Sequence, residues 1–223
     1  GALKCSGPTR KYIALKKLVI LDLDNTIYAE EDYFSKVFSI LEERHRLTVG
    51  ILLEGYRRID RVKSVDILGD VLKECHLFSV DMHESLFSIY SSADFDLSLP
   101  TTSSDFLSKL RGLGCCLALL TNGVMAVQEN KVRALGLKGY LDYIFYARDI
   151  KEGFEKPDSR VFERVLNTAG FEKGAAIMIG DSYINDFMGA RSFGIDALWL
   201  GGKGELAIET LTESLQYIEG VDK

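Results

Sequence analysis

Short apolar runs that stop at polar residues recur along this chain, separated by stretches with three- and four-residue periodicity. The first run, Leu18-Val19-Ile20-Leu21, lies in an expected strand over 17–23 and meets Asp22-Leu23-Asp24-Asn25-Thr26. A continuous apolar run of this length predicts a parallel strand buried on both faces. Cys115 to Leu120, Tyr143 to Ala147, Ala175 to Ile179 and Ala197 to Leu200 read the same way, giving five expected strands. Between them the pattern turns helical. Helices are expected from a Thr102 or Ser103 cap to about Leu110, and from Val124 to Leu135 with Gly136 closing. Two more begin at Lys156-Pro157-Asp158 and after Ser182, the second ending near Phe193. Leu206 to Ile218 is expected to close the chain mostly as helix. The alternation predicts an α/β fold, a doubly wound, Rossmann-like parallel sheet covered on both faces.

One stretch departs from the alternation. From Tyr33 to Leu47, Phe34, Val37, Phe38 and Leu41 recur at helical steps, and Ile51–Ile59, Ile67–Cys75 and Met82–Tyr90 repeat the pattern. No strand-like alternation interrupts them. Residues 27–95 are therefore expected as an α-helical insert, with 1–26 and 96–223 forming the α/β core. Residues 1–16 carry a Ser6-Gly7-Pro8 turn signal and are expected as a poorly ordered arm, Gly1 being read as a tag remnant.

Composition then removes several function classes. No apolar run approaches the ~20 residues that cross a bilayer, and residues 1–17 lack the apolar centre of a secretory signal. Cys5, Cys75, Cys115 and Cys116 form no CxxC pair, and the last two sit in an apolar run as buried thiols do. A cytoplasmic location is expected, with no membrane partner. Residues 27–95 hold 8 Lys/Arg against 13 Asp/Glu, so most of the chain's net charge of −6 falls in the insert. Neither part offers the basic face that nucleic acid demands. His45, His76 and His83 all lie in the insert, no two at a spacing that puts both on one helix face, and are not read as metal ligands. The aromatics Tyr33, Phe34, Phe87 and Tyr90 read as helix core.

The polar residues at the strand ends carry the candidate chemistry. Side chains two apart on a strand share a face, so Asp22 and Asp24 are expected to point into one crevice at its carboxyl end. Thr121/Asn122 and Asp181 end two other strands, and Lys156 follows the third. Any one of these suits a turn. Parallel connections place all of them at one sheet edge, where ligands bind. Three facing carboxylates repel unless a cation sits among them, and hard oxygen ligands suit Mg²⁺. Lys156 and Thr121 suit phosphate oxygens, a carboxylate is a competent nucleophile toward phosphorus, and a second carboxyl can move the proton.

The set resembles the haloacid dehalogenase (HAD) superfamily over nearly the whole chain. Asp22-Leu23-Asp24-Asn25-Thr26 matches its DxDxT motif, Thr121-Asn122-Gly123 its second, Lys156-Pro157 its third, and Gly180-Asp181-Ser182-Tyr183-Ile184-Asn185-Asp186 its GDxxxND fourth. The resemblance implies Asp22 as nucleophile and metal ligand, and Asp24 as general acid/base lending its backbone carbonyl to Mg²⁺. It implies that Thr121, Asn122 and Lys156 bind the phosphate and that Asp181 completes the metal site. Asp186 is implied to orient ligands or Lys156, while Thr26 and Asn185 shape their loops. The helical insert resembles the C1-type cap of this superfamily, which closes over the site and selects substrate. Asp24-Asn25-Thr26-Ile27-Tyr28 is weakly similar to pyrimidine 5′-nucleotidase-like members. The implied activity is Mg²⁺-dependent hydrolysis of a small phosphorylated metabolite, a nucleotide or sugar phosphate, by a monomer or homodimer. A phosphomutase, a dehalogenase and a non-catalytic binding member are the alternatives. Dehalogenases of this fold lack the second carboxylate of the first motif, so Asp24 counts against that reading.

Overall fold

The computed structural model describes residues 16–61, 63–149 and 154–219. The arm expected over 1–16 lies outside them except for Lys16, whose buried ammonium donates to Gly174 O (2.8 Å) and Asp196 Oδ2 (2.6 Å). Six parallel strands form one sheet: β1 (Leu18–Leu21), β2 (Cys116–Thr121), β3 (Tyr143–Tyr146), β4 (Ala176–Gly180), β5 (Asp196–Leu200) and β6 (Ala207–Ile208). Their order is β3-β2-β1-β4-β5-β6. The chain winds outward from β1 through β2 and β3, then crosses to the other side with β4. That reversal opens a crevice beyond the carboxyl end of β1, between its two neighbours.

The apolar runs follow from this position. Val19 and Leu21 join Leu117, Leu119, Ile177 and Ile179 on one face, under Phe106, Leu107 and Leu110 of α5 (Thr101–Gly112). Leu18 and Ile20 join Leu120 and Met178 on the other, against Val161, Phe162 and Val165 of α7 (Ser159–Ala169). With both faces covered, neither set of alternating positions tolerates a polar residue.

The insert contains α1 (Glu30–His45), α2 (Ile51–Arg58), α3 (Ile67–Glu74) and α4 (Val80–Ser92), with no strand among its described residues. Phe34 stacks on Tyr90 at 5.2 Å and packs 4.6 Å from Tyr56, so Tyr33, Phe34 and Tyr90 form helix core as expected, whereas Phe87 is exposed and does not. Leu23, Ile27 and Tyr28 make this core continuous with the adjoining sheet face. Buried Glu42 accepts from Gly50 N (2.8 Å) and Leu52 N (3.0 Å), supplying partners that the first turn of α2 cannot find within itself. Where the chain returns, buried Ser103 Oγ donates to Ile27 O at 2.6 Å and ties the exit of the insert to its entrance.

Four sequence expectations are corrected. The helix α5 starts at Thr101 after Pro100, without a side-chain cap, because Ser103 uses its hydroxyl on Ile27. Asp158 caps α7 by accepting from Arg160 N at 2.9 Å, so Lys156 and Pro157 stay in the preceding loop. The helix after Ser182 opens as a π turn over Tyr183–Met188, and only Gly189–Phe193 (α8) is α-helical. Residues 206–218 are not one helix. Ala207–Ile208 pair with β5, a 3₁₀ turn spans Leu211–Ser214, and α9 is only Leu215–Ile218. The open edge of β5 offers backbone partners (Trp199 N to Leu206 O, 2.9 Å) that a marginal short helix cannot outbid. No described helix is long and apolar enough to cross a membrane. The described cysteines, Cys75, Cys115 and Cys116, are free; Cys5 lies outside the described residues.

Candidate active site

The strand β1 ends at Leu21, so Asp24 is placed by a turn and not by strand alternation. Asn25 adopts φ 57°, and its side chain accepts from Glu30 N at 3.1 Å, which folds the loop back toward α1. Asn suits this left-handed backbone better than most residues. Thr26 Oγ1 accepts from Asp181 N (3.2 Å), joining the loop after β1 to the loop after β4. Trp199, unread in the sequence, donates its indole N–H to Asp181 O at 2.9 Å and braces that loop from β5.

All seven residues singled out from the sequence line one cleft of about 200 Å³: Asp22, Asp24, Thr121, Asn122, Lys156, Asp181 and Asp186. Glu30 and Arg61 of the insert line it too. Lys156 Nζ is buried and lies 2.6 Å from both Asp22 Oδ1 and Asp186 Oδ1. Asp186 gives its other oxygen to Ser182 N at 3.0 Å, so both its oxygens are engaged. Asp22, Asp181 and Asp186 each offer an oxygen within 4.8 Å of the others, and no His is among them. Asn122 holds the backbone of Lys156, accepting from its N–H and donating to its carbonyl, both at 2.9 Å.

The Asp24 carboxylate belongs to a different network. Its Oδ1 accepts from Lys131 Nζ (2.8 Å) and Tyr28 Oη (2.7 Å), and its Oδ2 from Lys131 Nζ (2.9 Å) and Gln128 Nε2 (2.9 Å). Gln128 and Lys131 come from α6 (Met125–Ala134), and Gln128 also donates to Thr121 Oγ1 at 2.6 Å. Lys131 further donates to Glu30 Oε1 at 2.9 Å, and Arg61 pairs with the other Glu30 oxygen. Glu30, Gln128 and Lys131 are not singled out in the sequence, and Tyr28 enters there only through the Asp24–Tyr28 resemblance, with no role. A signal existed on α6, where Val127, Asn130, Lys131 and Ala134 share one helix face and all are buried. Two polar side chains in a stripe that ought to be apolar point to a buried partner.

Electrostatics divides the two carboxylates. Burial pushes Asp22 up to about 8, with Lys156 pulling it down and Asp186 pushing it further up. Burial, then Asp186, lifts Asp181 to about 6. Burial, the largest influence, opposes the charge on Asp24, but Lys131 together with the hydrogen bonds from Gln128 and Tyr28 outweighs it and holds Asp24 below its ordinary value. Lys156 stays firmly protonated, since Asp22 and Asp186 more than offset its burial. In all, Asp22, Asp24, Glu30, Asp181 and Asp186 face Lys131, Lys156 and Arg61, two positive charges short of balance. That deficit, with only oxygen ligands at its centre, fits a hard divalent cation. A larger open groove of about 720 Å³ adjoins Asp181 from the side of β6, but its described lining carries no Lys or Arg to receive a phosphate.

Comparison with known proteins gives a consistent picture. The family model for haloacid dehalogenase-like hydrolases matches residues 16–194. Phosphoserine phosphatase from Thermus thermophilus is 37% identical over 95 residues, 43% of this chain and 37% of that protein. Glyceraldehyde 3-phosphate phosphatase from Methanothermobacter thermautotrophicus is 22% identical over 82% of this chain and 84% of its own length. Pyrimidine 5′-nucleotidase PynA from Streptococcus pneumoniae is 35% identical over 35% of this chain and 33% of its length. The first and third matches thus span about a third of those relatives. Among solved structures, the HAD-hydrolase YfnB from Bacillus subtilis, bound to magnesium, superposes with a TM-score of 0.69 at 22% identity. It covers 93% of this chain and all of that one.

Proposed function

Because the chain belongs to the haloacid dehalogenase-like hydrolases, we propose that it is a Mg²⁺-dependent phosphatase of a small phosphorylated metabolite, working through an aspartyl-phosphate. The observation that carries this reading is the pairing of Asp22 with Lys156 at 2.6 Å beside Asp181 and Asp186, in the cleft that Asp24 also faces. Asp22, Asp181 and the backbone carbonyl of Asp24 would hold Mg²⁺, with Asp186 orienting Lys156. The ion supplies charge to steady the phosphate and the attacking carboxylate.

An Asp22 oxygen attacks phosphorus as the bond to the leaving oxygen breaks, and Asp24 gives that oxygen a proton. A water then attacks the phosphorus of the aspartyl-phosphate, Asp24 takes its proton, and the Asp22 carboxylate and inorganic phosphate are regenerated. Lys131, Gln128 and Tyr28 keep Asp24 ionised, so it enters as the base of the second step, and the proton it takes from water there is the one it gives to the next leaving oxygen. Its acid role matters most for leaving groups that need a proton. Lys156 and the Thr121 hydroxyl meet the phosphate oxygens as charge develops. Asn122 contributes by fixing the backbone of Lys156.

The insert of residues 27–95 serves as the lid, with Arg61 its cation over the cleft. The pneumococcal nucleotidase puts pyrimidine nucleotides first in a substrate panel, followed by phosphoserine and triose phosphates. Phosphate release is measured for each with Mg²⁺. Release is expected from at least one compound and is lost with EDTA and in Asp22→Asn. Release that survives Asp22→Asn overturns the nucleophile assignment.

A further inference from the structure

We infer that Lys131 is a positioning residue for this reaction, fixing the Asp24 carboxylate in the cleft while Glu30 fixes the ammonium in turn. The ammonium of Lys131 lies 2.8 and 2.9 Å from the two oxygens of Asp24, which share one of its N–H groups, and a second N–H meets Glu30 Oε1 at 2.9 Å. Lys131 is only 1% exposed and is not among the residues that line the cleft. Buried and with no face on the cavity, it does not bind phosphate. Its stem and head lie beside the Tyr33 and Tyr90 rings, centroids 5.4 and 5.7 Å from Nζ, which walls it from solvent.

Geometry gives Lys131 a task that the other partners of Asp24 cannot fill. Both oxygens of Asp24 are fully occupied by Lys131, Tyr28 and Gln128. A water approaching as nucleophile must displace one of these donors to reach Asp24. The bonds from Tyr28 and Gln128 are from neutral donors and give way before the charge-assisted contacts of Lys131 do. The ammonium therefore keeps the carboxylate aimed while one neutral donor gives way. Glu30 is the first residue of α1, so the anchor of this arrangement stands where the chain enters the helical insert.

This inference rests on the proposed acid/base role of Asp24, and the experiment separates the two. Pre-steady-state turnover of p-nitrophenyl phosphate reads phosphorylation of Asp22 in the burst and dephosphorylation in the steady phase. This leaving group needs no proton, so Asp24 matters only in the second phase. Lys131→Met is expected to slow the steady phase at least fivefold more than the burst, and a smaller difference overturns the inference. A residue that merely supports the fold slows both phases together. Should Lys131→Met fail to fold with two stranded carboxylates, Lys131→Met combined with Glu30→Gln removes one of them and takes the same criterion. Asp24→Asn is run beside them. If it too slows both phases alike, the acid/base reading of Asp24 falls and the inference with it. If it slows only the steady phase while the Lys131 variant does not, only the inference falls.

Discussion

Asn122 and Lys156 exchange two hydrogen bonds of 2.9 Å, side-chain amide to backbone, across the gap between the loops after β2 and β3. The amide therefore sets the height from which the Lys156 ammonium reaches Asp22 and Asp186. Removing it in Asn122→Ala leaves two backbone groups short of partners, a loss of about 1–3 kcal/mol in stability. Lys156 then loses its aim. Turnover is expected to fall about tenfold or more, since each ~1.4 kcal/mol of lost transition-state stabilisation is a factor of ten. Circular dichroism and steady-state kinetics on the same preparation check both. A variant with native turnover shows that Lys156 finds its place without this clamp.

The metal site yields a pH-dependent stability prediction. Without metal, Asp22 and Asp181 have folded-state values of about 8 and about 6, both raised from 3.8. Between 3.8 and those values the folded chain binds more protons than the unfolded one, so its stability falls as pH rises through that window. Mg²⁺ replaces those protons, because its ligands must be ionised. Its stabilising effect is thus small near pH 5 and grows toward pH 8. Melting temperatures measured with Mg²⁺ and with EDTA across this range check the sign. An Mg²⁺ shift that is equal at both ends rules out these carboxylates as its ligands.

The sequence made most of this site readable because its groups sit where apolar runs stop. Asp22, Thr121 and Asp181 are fixed by strand ends, and the continuous burial of β1, β2 and β4 is visible in their unbroken apolar runs. Asp24 was expected in the right cleft for an incomplete reason, since a turn with Asn25 at positive φ places it and not strand alternation. The network behind it was not read. Gln128 and Lys131 reach Asp24 across more than 100 residues of chain, and no local spacing encodes that meeting. The C-terminal strand β6 is hidden for a different reason: Ala207–Ile208 is too short to show a strand pattern, and only the open edge of β5 just before it makes it a strand.

The two carboxylates of the first loop are expected to separate by leaving group. Asp22→Asn removes the nucleophile and abolishes turnover of every substrate. Asp24→Asn keeps the nucleophile but cannot protonate an alkoxide, so alkyl phosphates lose more than p-nitrophenyl phosphate does in the step that forms the aspartyl-phosphate. Comparing kcat/KM for the two substrates isolates that step. Equal loss on both argues against the acid role.

The last prediction concerns what the insert reads. Arg61 brings a cation from the segment between α2 and α3 to the mouth of the cleft. It pairs with Glu30 and packs over the Tyr56 ring, 5.2 Å from its centroid, so it is poised without being fully committed to solvent. Its guanidinium lines the cleft and is not among the groups assigned to the phosphate, so we expect it to meet the leaving group. A group there contributes binding energy to the leaving portion and none to the phosphoryl transfer itself. Arg61→Ala is therefore expected to raise KM several-fold for the best metabolite in the panel while leaving kcat for acetyl phosphate, whose leaving group is minimal, within about twofold. The effect of one exposed contact is of the order of 1 kcal/mol, so roughly a factor of five. Replacing residues 30–94 by a short Gly/Ser linker is expected to exaggerate the same contrast, provided circular dichroism shows the sheet intact. Proportional loss on both substrates in Arg61→Ala and in the linker variant means that the insert supports the site without selecting what enters it, and the role of a lid is then withdrawn.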